Sequence, residues 1–139
     1  MATGERITLE DFKQFVSQDE NADRLFELIN GRMIEISPGR TRNSEYGHVL
    51  AAAVRVFCKE RGLPCHTSGE AGAYNIQGNV CVPDFAYKDT PMSRDYPDPV
   101  PPKWVVEVIS PTDKAREIRE KREIYQLAGI LLWELYGEL

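Results

Sequence analysis

The sequence predicts an α/β domain in which helices pack on a β-sheet. Three observations carry this. Short runs such as LFELI and WVVEVI are rich in bulky, β-favouring residues and read as strands. They alternate with stretches of helical character that end at Gly62 and Gly129, where a left-handed residue commonly closes a helix. The 139 residues are 42% hydrophobic and 28% charged, enough for one domain with its own core. No internal repeat or interdomain linker breaks the pattern, so 1–139 reads as a single domain.

Along the chain, Thr8 and Asp11 form a capping-box pattern that opens a short helix from Leu9 to about Val16. LFELINGRMIEIS follows. Its two β-like runs flank Asn30-Gly31, a type I′ hairpin signal, and Pro38-Gly39 ends the second. Ser44 to Arg61 reads as a helix. Tyr46, Val49, Leu50, Ala53, Val54 and Phe57 fall on one side of it, and His48, Arg55 and Lys59 on the other. Two strands are expected next, Ala71 to Ile76 and Val80 to Tyr87, joined at Gln77-Gly78-Asn79. KDTPMSRDYPDPVPPK is a long surface loop. Trp104 to Ile109 is a strand buried on both faces. A helix is then expected to start at Ser110-Pro111-Thr112-Asp113, with Ser110 as cap and Pro111 in the first helical position, and to run to about Ala128. Ile130 to Tyr136 is the last strand.

Composition narrows the function. A net charge of −5 argues against nucleic-acid binding by bulk electrostatics, although it allows a local basic groove around an acidic centre. No apolar run approaches a membrane span, and the polar start MATGERITLEDF does not resemble a secretory signal, so the cytoplasm is the default expectation. Cys58, Cys65 and Cys81 lack CxxC spacing and read as small apolar residues rather than a zinc or disulfide framework.

One feature needs a chemical reason. Glu107 lies in the middle of the apolar run WVVEVI, and an unpaired buried carboxylate is very costly. Asp84 follows Pro83 inside another apolar run, where a proline implies an edge, an end or a bulge. On the last helix Lys121 falls inside the apolar arc defined by Ile118, Ile124, Tyr125 and Ala128. Two close carboxylates repel and are stabilised by a divalent cation. Mg²⁺ suits a few carboxylate oxygens plus waters, and a lysine beside it can orient a water or stabilise developing charge. These are the parts of a phosphodiester hydrolase. The plain alternative is structural, with Lys121 neutralising Glu107 as a buried ion pair.

Pro83-Asp84, the EVIS of 107–110 and a lysine in the following helix resemble the PD-(D/E)XK nuclease superfamily. More closely, FELINGRMIEISP, GEAGAYNI before VCVPDF, and WVVEVISPTDKAREIREKREIYQLAGI resemble the bacterial restriction-endonuclease family called Uma-two, over nearly the whole chain. The resemblance implies a restriction-endonuclease-like central mixed β-sheet flanked by α-helices. It implies a Mg²⁺- or Mn²⁺-dependent endonuclease acting on nucleic acid, DNA first. Asp84 and Glu107 match the metal-binding acids, with Glu70 a weaker third ligand and Glu35 weaker still. In the parent motif a lysine stands two residues after the second acid. Ile109 holds that position here, and Lys121 is the matching candidate.

Arg40, Arg42, Arg55 and Lys59 are candidates to track a phosphate backbone. Residues 130–139 match the family less well than the block before them. This reads as a shortened C-terminus, with a last strand that is an edge or pairs in a homodimer. The alternative reading is a catalytically inactive module on the same scaffold, binding nucleic acid or a protein partner. A glycosidase-like carboxylate pair is a third reading, without a sugar cleft to support it.

Overall fold

The computed structural model describes residues 5–136. Three helices pack on two four-stranded sheets, so the single expected sheet is corrected to two. The first is antiparallel, in the order β2-β1-β5-β4, and contains β1 (Leu25–Ile29), β2 (Arg32–Ile36), β4 (Tyr74–Ile76) and β5 (Asn79–Cys81). The second has the order β3-β6-β7-β8 and contains β3 (His66–Ser68), β6 (Phe85–Lys88), β7 (Trp104–Ile109) and β8 (Leu131–Tyr136). It is mixed, because β7 and β8 run parallel while its other pairs are antiparallel.

The break between the sheets falls within the expected strand 80–87, which divides at Val82-Pro83-Asp84, with β5 on one side and β6 on the other. Pro83 has no N–H to continue a ladder. The Val82 N–H instead donates to Oε2 of Glu27 at 2.9 Å, so a side chain replaces the next strand partner. The chain then turns from one sheet into the other.

Local signals account for most other elements. Helix α1 (Leu9–Val16) has the expected reciprocal cap: the Asp11 N–H donates to Thr8 Oγ1 at 3.1 Å, and the Thr8 N–H to Asp11 Oδ2 at 3.2 Å. It presses Phe12 into a cluster with Phe26, Leu28, Ala73, Val80 and Val82. The β1–β2 turn has positive φ at Asn30 (51°) and Gly31 (80°), as a type I′ hairpin requires. Strand β4 begins at Tyr74 rather than Ala71, because the chain is still turning there: the Gly72 N–H donates to the Gly69 carbonyl. Strand β3 is short and polar and gave no apolar pattern to read.

Helix α2 (Thr41–Arg61) starts three residues earlier than expected and ends at Gly62, with φ of 63°. Its sequence stripe does not all face the protein. Gly47 and Cys58 are buried, whereas Val49 and Phe57 are 62% and 48% exposed. Gly47 lies near the Asp84 carbonyl, where an added Cβ would be 3.4 Å away, so the helix packs through its small residues.

Helix α3 (Ala115–Leu127) corrects a second boundary. Ser110 to Asp113 form a turn, not a helix start. The Asp113 N–H donates to the Ser110 carbonyl at 3.0 Å, and the Ser110 N–H to Asp113 Oδ2 at 2.7 Å. Asp113 therefore spends its carboxylate closing the turn. Lys114 becomes the N-cap and makes no side-chain cap bond.

The main core joins both sheets to α3 through Ile29, Tyr74, Ile76, Cys81, Ala86, Val105, Ile124, Tyr125 and Ile130. The long loop is fastened to the molecule by Asp98, which pairs with Lys88 at 2.9 Å and accepts the N–H groups of Ser93 and Val100. Strand β8 is an edge of its sheet, and Leu131, Trp133 and Tyr136 on it are about half exposed. All three cysteines are free thiols. No helix among the described residues is long and apolar enough to cross a membrane.

Candidate active site

Four structural features meet at one groove. Strand β1 supplies Glu27, the 82–84 junction supplies Asp84, β7 supplies Glu107, and α3 supplies Lys121 and Tyr125. The groove holds about 430 Å³. One wall is the Ser37–Arg40 segment after β2 and the other includes the turn 110–113. Side chains alternate along a strand, and Val105 and Glu107 share the face that meets α3. This is why an acid interrupts an apolar strand: its position points at the helix carrying the lysine.

The contacts are close. Lys121 Nζ lies 2.7 Å from Glu27 Oε2 and 2.8 Å from Glu107 Oε2. The Tyr125 hydroxyl donates to the same Glu107 oxygen at 2.7 Å. Asp84 Oδ2 accepts the Val108 N–H at 2.6 Å, which ties the 82–84 junction to β7. Glu27 and Asp84 each accept one backbone N–H, Glu27 just beyond the end of β5 and Asp84 within β7.

Burial and charge shift these groups. Burial pushes Glu107 up to about 7; the Lys121 ammonium opposes that rise, while Glu27 and Asp84 add to it. Burial also raises Asp84, against the Val108 N–H and Lys121, which pull it down. For Lys121 burial favours the neutral amine, yet Glu107 and Glu27 outweigh it and hold the ammonium well above its ordinary value. Tyr125 is raised well above the ordinary phenol, by burial first and then by Glu107. A lysine kept charged beside an acid that titrates near neutrality can stabilise negative charge and can exchange protons with water.

The structure brings Asp84, Glu107 and Lys121 to one groove. Glu70 stands apart. It is exposed, accepts a hydrogen bond from Ser44 Oγ at 3.1 Å, and lines a smaller adjoining cavity of about 270 Å³ that it shares with Asp84 and Glu35. Glu35 is held bidentately by Arg24 at 2.8 and 3.0 Å. Arg40 lines the main groove; Arg42, Arg55 and Lys59 are not among its lining residues, and His48 is exposed on α2. Glu27 and Tyr125 were missed as site residues. Glu27 carried the same signal as Glu107, a carboxylate inside an apolar strand run, LFELI beside WVVEVI. Tyr125 looked like ordinary core.

The carboxylates offer hard oxygen donors, which suit Mg²⁺ or Mn²⁺. The contacts described above fall on one oxygen of each, Oε2 of Glu27 and Glu107 and Oδ2 of Asp84. Asp84 and Glu107 line one groove and are of the donor type that magnesium takes in a two-carboxylate set, where waters would complete the shell. Among the described residues, no three His, Cys, Asp or Glu side chains form a group that could hold a metal. The Lys121 ammonium lies between the two glutamates.

The mixed sheet flanked by helices is a restriction-endonuclease-like fold. The chain belongs to the Uma2 family, described as "Putative restriction endonuclease", whose model it matches over residues 9–136. It is also similar in structure to a protein from Anabaena variabilis described as "a putative nuclease belonging to DUF820". The TM-score is 0.66 and the identity 18%, over 92% of this chain and 73% of that one. No curated protein matches the chain.

Proposed function

We propose that this protein is a metal-dependent nuclease that hydrolyses phosphodiester bonds, with DNA as its substrate. Asp84 and Glu107 would hold a Mg²⁺ or Mn²⁺ ion. Such an ion polarises a phosphoryl oxygen and acidifies an attacking water. Lys121 stabilises the charge that develops on the phosphoryl group and orients the water. Tyr125 fixes the rotamer of Glu107 through its hydroxyl. Water attacks phosphorus and gives up a proton, the bond to the leaving sugar oxygen breaks, and that oxygen takes up a proton, leaving a phosphomonoester and a free hydroxyl. The observation that carries this reading is the lysine within 2.8 Å of Glu107, in the groove that Asp84 also lines. Family membership supports it.

A second reading has one observation in its favour. Lys121 satisfies Glu107 and Glu27 together, so the cluster also makes sense as a structural ion-pair network in an inactive, partner-binding module. Assembly as a homodimer through the half-exposed β8 edge is compatible with either.

Plasmid DNA, single-stranded DNA and RNA are incubated with Mg²⁺ or Mn²⁺ and the wild type, Asp84→Asn or Glu107→Gln. The nuclease reading expects cleavage of DNA by the wild type, lost in both variants while their circular dichroism is unchanged. Equal cleavage by a variant sinks the assigned mechanism. A wild type that binds nucleic acid without cutting it favours the second reading.

A further inference from the structure

We propose that the Lys121 ammonium is a built-in counter-ion that competes with a divalent cation for Glu107, the acid it shares with the proposed metal site. The inference rests on the metal site of the proposed function and adds a regulation to it. One ammonium sits 2.7 Å from Glu27 Oε2 and 2.8 Å from Glu107 Oε2. A divalent ion bound by the same Glu107 oxygen needs a contact of roughly 2.1 Å. The two cations cannot share that space and would repel strongly there. Arg40 and Arg122 also border the groove, and Glu134 engages Arg122 bidentately at 2.8 and 3.0 Å; among the described residues Lys121 is the cation paired with Glu107 and Glu27.

The geometry assigns a consequence to metal loading. An ion that takes Oε2 of Glu107 displaces Lys121 from it, and the ammonium turns out towards the groove, where a substrate phosphate would lie. The lysine is then released for the reaction by the same event that loads the metal. The Tyr125 hydroxyl and the Val82 and Val108 N–H groups also donate to the three carboxylates, so each keeps a partner while the lysine moves.

The test is a calorimetric titration of Mn²⁺ into the wild type, Lys121→Met, Lys121→Gln and Lys121→Arg. The two neutral variants are measured side by side, so that loss of fold in one leaves the other. Removing the competitor is expected to tighten Mn²⁺ binding about tenfold, equivalent to ~1.4 kcal/mol. Lys121→Arg, which keeps the charge, is expected to stay near the wild type. Unchanged or weaker binding in the folded neutral variants overturns the competition and leaves the metal site standing. No binding by any of the proteins overturns both.

A second measurement uses the wild type alone. The Lys121 side-chain resonance, assigned by its loss in Lys121→Arg, is followed by NMR during addition of Mg²⁺. It is expected to shift as the ion pair with Glu107 breaks. A resonance unmoved when the site is saturated overturns the proposal.

Discussion

Lys121 on α3 and Glu27 on β1 meet at 2.7 Å, so the hairpin sheet contributes directly to a centre otherwise built on the other sheet. Glu27 also ends β5 by accepting the Val82 N–H. It is therefore both a structural stop and a partner of the central lysine. In Glu27→Gln the amide oxygen can still accept from Val82, while the charge is lost. Cleavage is expected to fall about a hundredfold with the fold kept. Circular dichroism and a plasmid-nicking assay read the two parts; full activity would leave Glu27 with the strand-ending role alone.

Tyr125→Phe removes one hydroxyl and little volume. A hydrogen bond to a charged group contributes about 1.5–3 kcal/mol, so urea denaturation should show a loss of that order. The hydroxyl also favours ionised Glu107. Without it the Glu107 carboxyl, already about 7, should move further up. Carbon NMR of the carboxyl tests the direction, and a fall would refute the assigned donor.

The glutamates share one lysine, and this makes a specific stability pattern. Lys121→Met leaves both acids without their cation and should cost about 3–5 kcal/mol. The double variant Lys121→Met with Glu107→Gln should remain destabilised, because Glu27 is still charged and buried. Adding Glu27→Gln should recover most of the loss. Denaturation of the three proteins at one pH distinguishes this from a simple Lys121–Glu107 pair, for which the double variant would already recover.

Asp98 and Glu107 should move stability in opposite directions with pH. Burial alone would raise Asp98, but Lys88 and the Ser93 and Val100 N–H groups together hold it below its ordinary value of 3.8. Its contribution is present above that value and lost as pH falls through the lower folded one. Glu107 is raised from 4.5 to about 7. Its contribution is full below 4.5 and lost as pH rises through about 7. Relative to wild type, Asp98→Asn should be most destabilised at neutral pH and converge with it in acid. Glu107→Gln should gain on wild type between pH 4.5 and 7. Denaturant melts across pH 3–8 check both slopes, and parallel profiles would contradict the assignment.

Much of this protein was legible as sequence because the signals are local. The Thr8–Asp11 box, the Asn30-Gly31 turn and the Gly62 stop each depend on a few neighbouring residues and on backbone sterics, and each formed as expected. The oddity of Glu107 was equally visible, because burying a carboxylate in an apolar strand is costly wherever that strand lies.

Tertiary contacts decided the rest. Whether VCVPDFAY is one strand or two depended on Glu27 reaching the Val82 N–H from a distant hairpin. Whether Ser110 starts a helix depended on Asp113 closing a turn before the helix began. The α2 stripe misled because Gly47 let the helix approach the Asp84 carbonyl, turning Val49 and Phe57 outwards. Periodicity identified Lys121 as inward-facing, but only the packing of α3 across both sheets decided that it would answer two glutamates. Local sequence determines backbone preference and the cost of a buried charge. Which distant partner meets that cost is set by the assembled core.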